Sequence, residues 1–312
     1  MNTSAPASSP TTAAETPVPD MDPVAVQRWA ERSASESAWL HEEVGGRMAQ
    51  RLAWIKATPA QWLGWEPVQG GLRAHCTVAE RYPQAQEVIK AQRPQSALSA
   101  LKALKPQASG WLGRWRHTPP VLATADTQVD MLWANMLLHH THLPGTLLAR
   151  WHQLLRENGF LMFSCLGPDS LKELRAVYSQ LGWPPPAQSF TDMHDWGDML
   201  VQAGFAEPVM DMERITLSYA NAPALLAELR TLGRNASLQR DPRTRGKGWL
   251  AQLHAGLETH MPRSDDGRLL LTFEVVYGHA HKGAPRIPVT PASAVSLQDM
   301  RRMLVRGVTG VA

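Results

Sequence analysis

The stretch from Val129 to Arg175 limits what this chain can fold into more than any other. Val129, Met131 and Leu132 open it with an apolar run of strand length. Leu147, Leu148, Trp151, Leu154 and Leu155 then recur at the spacing of one helix face. Asn158-Gly159 is where that helix is expected to stop, because glycine adopts the left-handed conformation at little steric cost. Phe160 to Ser164 is an unbroken apolar run, the pattern of a strand covered on both faces, and Ser170 to Gln180 reads as a further helix. Strand, helix, strand in this order is a βαβ unit, and it predicts an α/β chain built on a doubly wound, mostly parallel sheet.

The flanking segments extend the pattern. Asp22-Pro23 fits a helix N-cap with proline at the first helical position, and Asp22 to Lys56 reads as one or two helices. Gln61 to Gly71 is the place for the first strand and its turn, and Val88 to Gln92 for the second strand. Leu98, Leu101 and Leu104 indicate a short helix, and Trp111 with Trp115 a packed turn. Beyond the proline linker at 184–186, Asp192 is the expected cap and Gly204 the expected stop of another helix. Ala222 to Gly233 is a helix, Arg268 to His279 a last strand, and Leu297 to Val305 one more short helix. Residues 1–20 carry Ser, Thr, Ala and Pro with few bulky apolar groups, so that tail and most of 283–312 are expected to lack a fixed structure. One folded unit is thus expected over 21–282.

Composition narrows the function classes. With 312 residues, 44% hydrophobic and 19% charged, the chain can bury one substantial core. Its net charge of +3 suits an acidic protein or a phosphate-bearing partner but is too weak to point to nucleic acid. Two cysteines, Cys76 and Cys165, form neither a metal-ligand spacing nor a disulfide framework. Buried Cys165 is expected to behave as a small apolar residue. No apolar run reaches the roughly 18 residues of a membrane span, and the start of the chain has no secretion-signal pattern, so a cytoplasmic address is expected. His139, His140 and His142 match no common zinc spacing; no metal is expected there, and a solvent-facing or pocket-rim position is.

The segments V-D-M-L-W-A-N, L-L-R-E-N-G-F-L-M-F-S and G-P-D-S-L-K-E-L-R, with W-L-H-E-E-V-G-G-R-M-A-Q-R-L upstream, resemble class I S-adenosylmethionine-dependent methyltransferases. Within that class the chain is most similar to the biotin-pathway malonyl-acyl-carrier-protein O-methyltransferases, and it also resembles the methyltransferase-like assembly factors of respiratory complex I. The resemblance covers roughly residues 28–282. It implies a Rossmann-like methyltransferase fold with a helical N-terminal segment and a small helical cap at about 183–260. It also implies S-adenosylmethionine as cofactor and acyl carrier protein as partner. Carried onto this sequence, the cofactor site falls on Glu66, Gly70, Gly71, Gln92 and Asn135. The chain departs from the family there: W-E-P-V-Q-G-G stands in place of a G-x-G-x-G turn, and Gln92 stands where an acidic residue would hold the ribose hydroxyls. Asp126 is a weak substitute for a third acidic position. Trp62 and Trp65 flank the turn, either stacking on a ligand or filling space; filling is favoured. Asn135 has two readings, a group at the pocket mouth or a cap for the turn after its strand.

Arg230, Arg234, Arg240, Arg243, Arg245 and Lys247 form a basic patch, either a solvated surface or a rim that steers an acidic carrier protein, with Arg230, Arg234, Arg243 and Arg245 as the candidate partner-binding residues. No catalytic residue is assigned, since a carboxylate acceptor is already ionised at neutral pH and methyl transfer needs mainly alignment. Three functions stay open: malonyl-thioester O-methylation, a catalytically weak binding or assembly factor of the same fold, and other chemistry with the same cofactor.

Overall fold

The computed structural model describes residue 18 and residues 20–32, 36–104 and 118–284. The Trp111–Trp115 turn, the Leu297–Val305 helix and nearly all of both tails lie outside the described residues. Seven strands form one sheet in the order β3-β2-β1-β4-β5-β7-β6. They are β1 (Gln61–Trp65), β2 (Gln86–Lys90), β3 (Val121–Leu122), β4 (Val129–Ala134), β5 (Leu155–Leu166), β6 (Ala206–Tyr219) and β7 (Leu269–His281). The first five are parallel, and β7 enters antiparallel between β5 and β6. This is the doubly wound α/β sheet expected from the βαβ pattern.

The alternation of side chains along the central strands sorts the core into two layers. Trp62, Met131, Trp133, Phe160 and Met162 face one side. There they meet α2 (Trp39–Arg51), α4 (Leu72–Arg81), α7 (Lys172–Gln180), α9 (Ala222–Leu232) and α10 (Lys247–His260). Leu63, Trp65, Leu132, Ala134, Leu161 and Phe163 face the other side, against α6 (Pro144–Leu154) and α8 (Met193–Gln202). Trp62 and Trp65 are both buried, so they fill the core as favoured, with Trp65 packed edge-on against Trp151. Three further α-helices complete the α-helices of the described residues: α1 (Pro23–Ala30), α3 (Pro67–Gly70) and α5 (Pro94–Ala103).

Most expected boundaries hold. Asp22 caps α1 and Asp192 caps α8 through their carboxylates, and Gly204 follows α8 at φ 96°. The stop of α6 is corrected. The helix ends at Leu154, four residues before the expected Asn158, because Leu155 already pairs with Val129 of β4. Asn158, not Gly159, takes the left-handed conformation, at φ 63°. Gly159 serves close approach instead: a Cβ there would stand 3.0 Å from the Asp130 carbonyl oxygen.

Two other expectations need redrawing. Order begins inside the expected N-terminal tail, since the Val18 amide donates to His142 O at 2.9 Å and Asp20 accepts from Ser189 N at 2.8 Å. Segment 183–260 is not one lobe: β6 lies at the sheet edge and α8 in one helix layer, while α9 and α10 pack with α7 on the other face.

Candidate active site

Parallel strands direct ligands to the crevice at their carboxyl ends, and here the turns after β1, β2 and β4 form that crevice. A larger cleft of about 740 Å³, lined by Gln128, His152, Arg156 and Lys282, lies at the opposite edge, where β4 and β5 begin, away from the carboxyl ends of the strands.

The turn after β1 is tight and is held by protein groups. Glu66 is left-handed at φ 52°; Pro67 to Gly70 make one helical turn; Gly71 sits at φ 112°. A side chain at Gly71 would be strained by its backbone angle and would come 3.1 Å from His41 O, and one at Gly70 would come 3.0 Å from Asn135 O. These glycines therefore serve close packing against α2 and β4. The amino terminus of α4 is also satisfied internally. Ser37 Oγ accepts from Leu72 N at 2.8 Å, and the Glu42 carboxylate accepts from Arg73 N at 3.0 Å and Ala74 N at 2.8 Å. Neither Ser37 nor Glu42 stands out in the sequence, because both act across more than thirty residues.

Asn135 clasps this turn. It is 1% exposed. Its amide donates to His41 O at 2.7 Å and to Gly70 O, and its Oδ1 accepts from Ser164 Oγ at 2.6 Å. Ser164 in turn accepts from Met136 N at 3.0 Å. The Asn135 side chain thus has its two donors and its carbonyl engaged within the protein, tying α2, the β1 turn and β5 together. Gly64 has a comparable role on the sheet face. A Cβ there would come 2.2 Å from a carbon of the His75 ring, and buried His75 bonds Glu87 at 2.7 Å.

A cavity of about 360 Å³ remains at the strand ends, within the lower range of ligand pockets. Its walls include Trp65 and Glu66 from β1, Gln92 after β2, and Leu137, His140 and His142 after β4, and α1 covers it with Val26 and Trp29. Glu66 leans across to β2, where its Oε1 accepts from Gln92 N at 2.5 Å. Burial raises the Glu66 pKa, partly offset by that amide. Two buried polar atoms beside the cavity, Trp29 Nε1 and His140 Nε2, have no hydrogen-bond partner among the described residues. Cavities of this kind favour a ligand with polar groups of its own.

His140 also lines a second, smaller cavity of about 100 Å³, with His139, Leu174, Phe190, Leu229 and Arg234. This one lies under α9 and the 186–190 segment and is mostly apolar. His139 is buried, which removes the solvent-facing alternative for it, and with His140 it lines this cavity, the pocket-rim position that was the other expectation. Its ring lies 4.0 Å from that of His140, centroid to centroid, and accepts from Leu166 N at 3.2 Å. Burial pushes His140 down to about 3, with His41 repulsion adding and the nearby Leu232 carbonyl opposing. His139 and His41 are shifted the same way, by burial first. Among the described residues no group of three His, Cys, Asp or Glu side chains is placed to hold a metal. Cys165 is fully buried and its thiol is pushed up by desolvation, the state of an unreactive apolar residue.

The four arginines separate. Arg234 stands at the second cavity with its guanidinium 5.7 Å from the Trp29 ring, and Arg230 is exposed one turn earlier. Arg243 is paired with Asp241 at 2.9 Å, and Arg245 lies over Trp249 at 4.1 Å. Asp126 lies outside the strand-end cavity, in a shallow cleft with Lys90 and Arg150.

The lid over the cavity is strapped down. Asp22 bonds Arg240 at 2.5 Å, Met21 bridges Ser237, and Ser237 Oγ donates to Asp20 at 2.8 Å. Asp22→Asn keeps the cap acceptor but removes the ion pair, worth on the order of 1 kcal/mol at this partial exposure. Hydrogen exchange in residues 20–32 is expected to speed about fivefold, with the melting temperature of the whole domain little changed.

No family model matches the sequence. Among curated proteins, the chain is 40% identical to a malonyl-[acyl-carrier protein] O-methyltransferase of Gallionella capsiferriformans over 80% of this chain and 87% of that protein. It is 38% identical to the protein of the same name from Laribacter hongkongensis, over 80% and 85%. Among solved structures, a candidate methyltransferase of Bacillus halodurans superposes with a TM-score of 0.51 at 11% identity, covering 77% of this chain and 99% of that one. The YcgJ protein of Bacillus subtilis gives 0.51 at 9%, over 78% and 99%. These last two support the fold alone, the Rossmann-like methyltransferase sheet. The sequence matches reach further: the chain belongs to the malonyl-[acyl-carrier protein] O-methyltransferase family.

Proposed function

We propose that this chain transfers the methyl group of S-adenosylmethionine to the free carboxylate of a malonyl thioester carried by acyl carrier protein, the biotin-pathway reaction that the sequence resemblance implies. The observation that supports it most is the pair of cavities sharing His140 as a wall, one of mixed polar and apolar lining at the strand ends and one narrow and more apolar beneath α9. The first suits the cofactor: Glu66 offers a carboxylate, and Trp29 Nε1 and His140 Nε2 offer unused polar atoms. When bound, the cofactor supplies an electrophilic methyl on a sulfonium.

The residues of this chain then have defined tasks. Helix α1 and Trp29 exclude water, which strengthens every charge interaction inside. Neutral His140 avoids placing a second positive charge beside a cationic cofactor. Arg234 offers a cation to an incoming anionic substrate. No side chain need remove a proton, since the acceptor carboxylate is ionised at neutral pH; the task is alignment. A cytoplasmic address accompanies this reading, and among the described residues no helix is long and apolar enough to cross a membrane.

The test is methyl transfer from labelled S-adenosylmethionine to malonyl-acyl carrier protein, with the product identified by intact mass and by loss of label on ester hydrolysis. Transfer is expected to require the malonyl carboxylate and to be absent with acetyl-acyl carrier protein. Absence of transfer to either would favour a binding or assembly role. Among the described residues Arg230, Arg234 and Arg245 of the patch have no acidic side-chain ion pair; Arg245 lies over Trp249 and Arg243 is neutralised by Asp241, which leaves Arg230 and Arg234 for docking. Reversing both, R230E with R234E, is expected to raise KM for the carrier-protein substrate about tenfold at low salt through lost steering. A malonyl thioester lacking the protein should be affected much less.

A further inference from the structure

We infer that Glu66 binds the ribose diol of the cofactor, supplying from the end of β1 the carboxylate that the end of β2 lacks. The inference rests on the cofactor reading above. In open α/β sheets an acidic residue beyond the second strand commonly accepts from ribose hydroxyls. Here that place holds Gln92, which has no charge to assist the bond.

The backbone of this chain moves a carboxylate there by another route. Glu66 leaves β1 in the left-handed conformation, uncommon for a residue with a side chain, and its amide still donates to Lys90 O at 2.7 Å. It therefore remains attached to the end of β2 while its side chain turns toward it. The carboxylate is fixed there by Gln92 N on Oε1, and among the described residues that is its one hydrogen bond. Oε2 and the second lone pair of Oε1 are left to accept from two neighbouring hydroxyls. Glu66 and Gln92 line the same cavity, and Pro67 limits the freedom of the turn that follows. The Glu66 carboxylate thus stands about one strand spacing, roughly 5 Å, from the position at Gln92 where the resemblance implies an acid.

A ligand-by-protein cycle tests this. Binding of S-adenosylhomocysteine and of its 2′-deoxy and 3′-deoxy analogues is measured by calorimetry on the full chain and on Glu66→Gln, which keeps an acceptor for Gln92 N. A charged hydrogen bond lost on either side is expected to weaken binding about 10- to 100-fold. Removal of a hydroxyl should then cost the variant almost nothing further. If the unsubstituted protein binds the parent and the deoxy analogues equally, the assignment of Glu66 is overturned while the cofactor reading stands. The same conclusion follows if E66Q binds the parent ligand as tightly as the unsubstituted protein. No binding of the parent ligand to the unsubstituted protein overturns both. Should E66Q fail to fold, the analogue series on the unsubstituted protein decides alone.

Discussion

Asn135→Ala is expected to lower the stability of the folded domain by about 3 kcal/mol. The substitution strands the carbonyls of His41 and Gly70 and the hydroxyl of Ser164 in a dry interior, each of which Asn135 satisfies. A buried group left without its partner costs about 1–3 kcal/mol, and relaxation at the edge of the cavity recovers part of the total. For a domain of this size that corresponds to a melting temperature lower by roughly 6–12 °C, read by differential scanning calorimetry. Asn135→Asp should be at least as damaging, although it is nearly isosteric, because it turns a carboxylate oxygen toward two carbonyl oxygens. The effect extends to function. The clasp holds the 66–71 turn against α2, so cofactor affinity should fall together with stability. A variant that loses affinity with an unchanged melting temperature would mean that Asn135 touches ligand directly.

Acid is expected to unfold this protein through its histidines earlier than its carboxylates alone would dictate. His140 is held neutral down to about pH 3 by burial, whereas in the unfolded chain it takes up a proton below about 6.5. Protons therefore bind the unfolded state in preference, and stability falls as pH falls from 6.5 toward 3. His140 alone removes about 1.4 kcal/mol between pH 7.5 and 5.5. His41 and His139, neutral for the same reason, act in the same direction. Urea midpoints measured across pH 5 to 8 should decline steadily below pH 7, and His140→Gln should flatten that decline even if it lowers the midpoint at pH 8. A midpoint that stays constant from pH 7.5 to 5.5 would show that these rings are hydrated and free to ionise.

The fold was legible in the sequence wherever local pattern and burial agree. The run Phe160–Ser164 reads as a covered strand because both faces of the parallel sheet are packed, and Asp22, Asp192 and Gly204 read as helix punctuation because capping is decided within a few residues. The end of α6 was misplaced because pairing of Leu155 with Val129 overrides a glycine signal four residues later. The site was less legible. Its residues work across long separations: Glu42 caps α4, Ser164 serves Asn135, and Asp22 reaches Arg240. Nothing local in the sequence marks those pairs. For His139 and His140 the pocket-rim alternative holds and the solvent-facing one fails for His139, because a histidine pair carries no local sign of burial. The basic patch read as one cluster because composition counts charges, whereas the structure pairs Arg243 with Asp241 and stacks Arg245 on Trp249. The motif departures around Glu66 and Gln92 are real features of the chain, and their meaning depends on the crossing of the Glu66 side chain to β2, which spacing alone does not reveal.

The central claim is that the strand-end cavity takes the cofactor despite a turn closed by Glu66, Ser37 and Glu42. Calorimetric titration of the full-length chain with S-adenosylmethionine and S-adenosylhomocysteine tests it most directly. The account predicts saturable binding with a dissociation constant on the order of micromolar. No heat of binding at about millimolar ligand would contradict it and would leave a methyltransferase fold whose function resides in its surface.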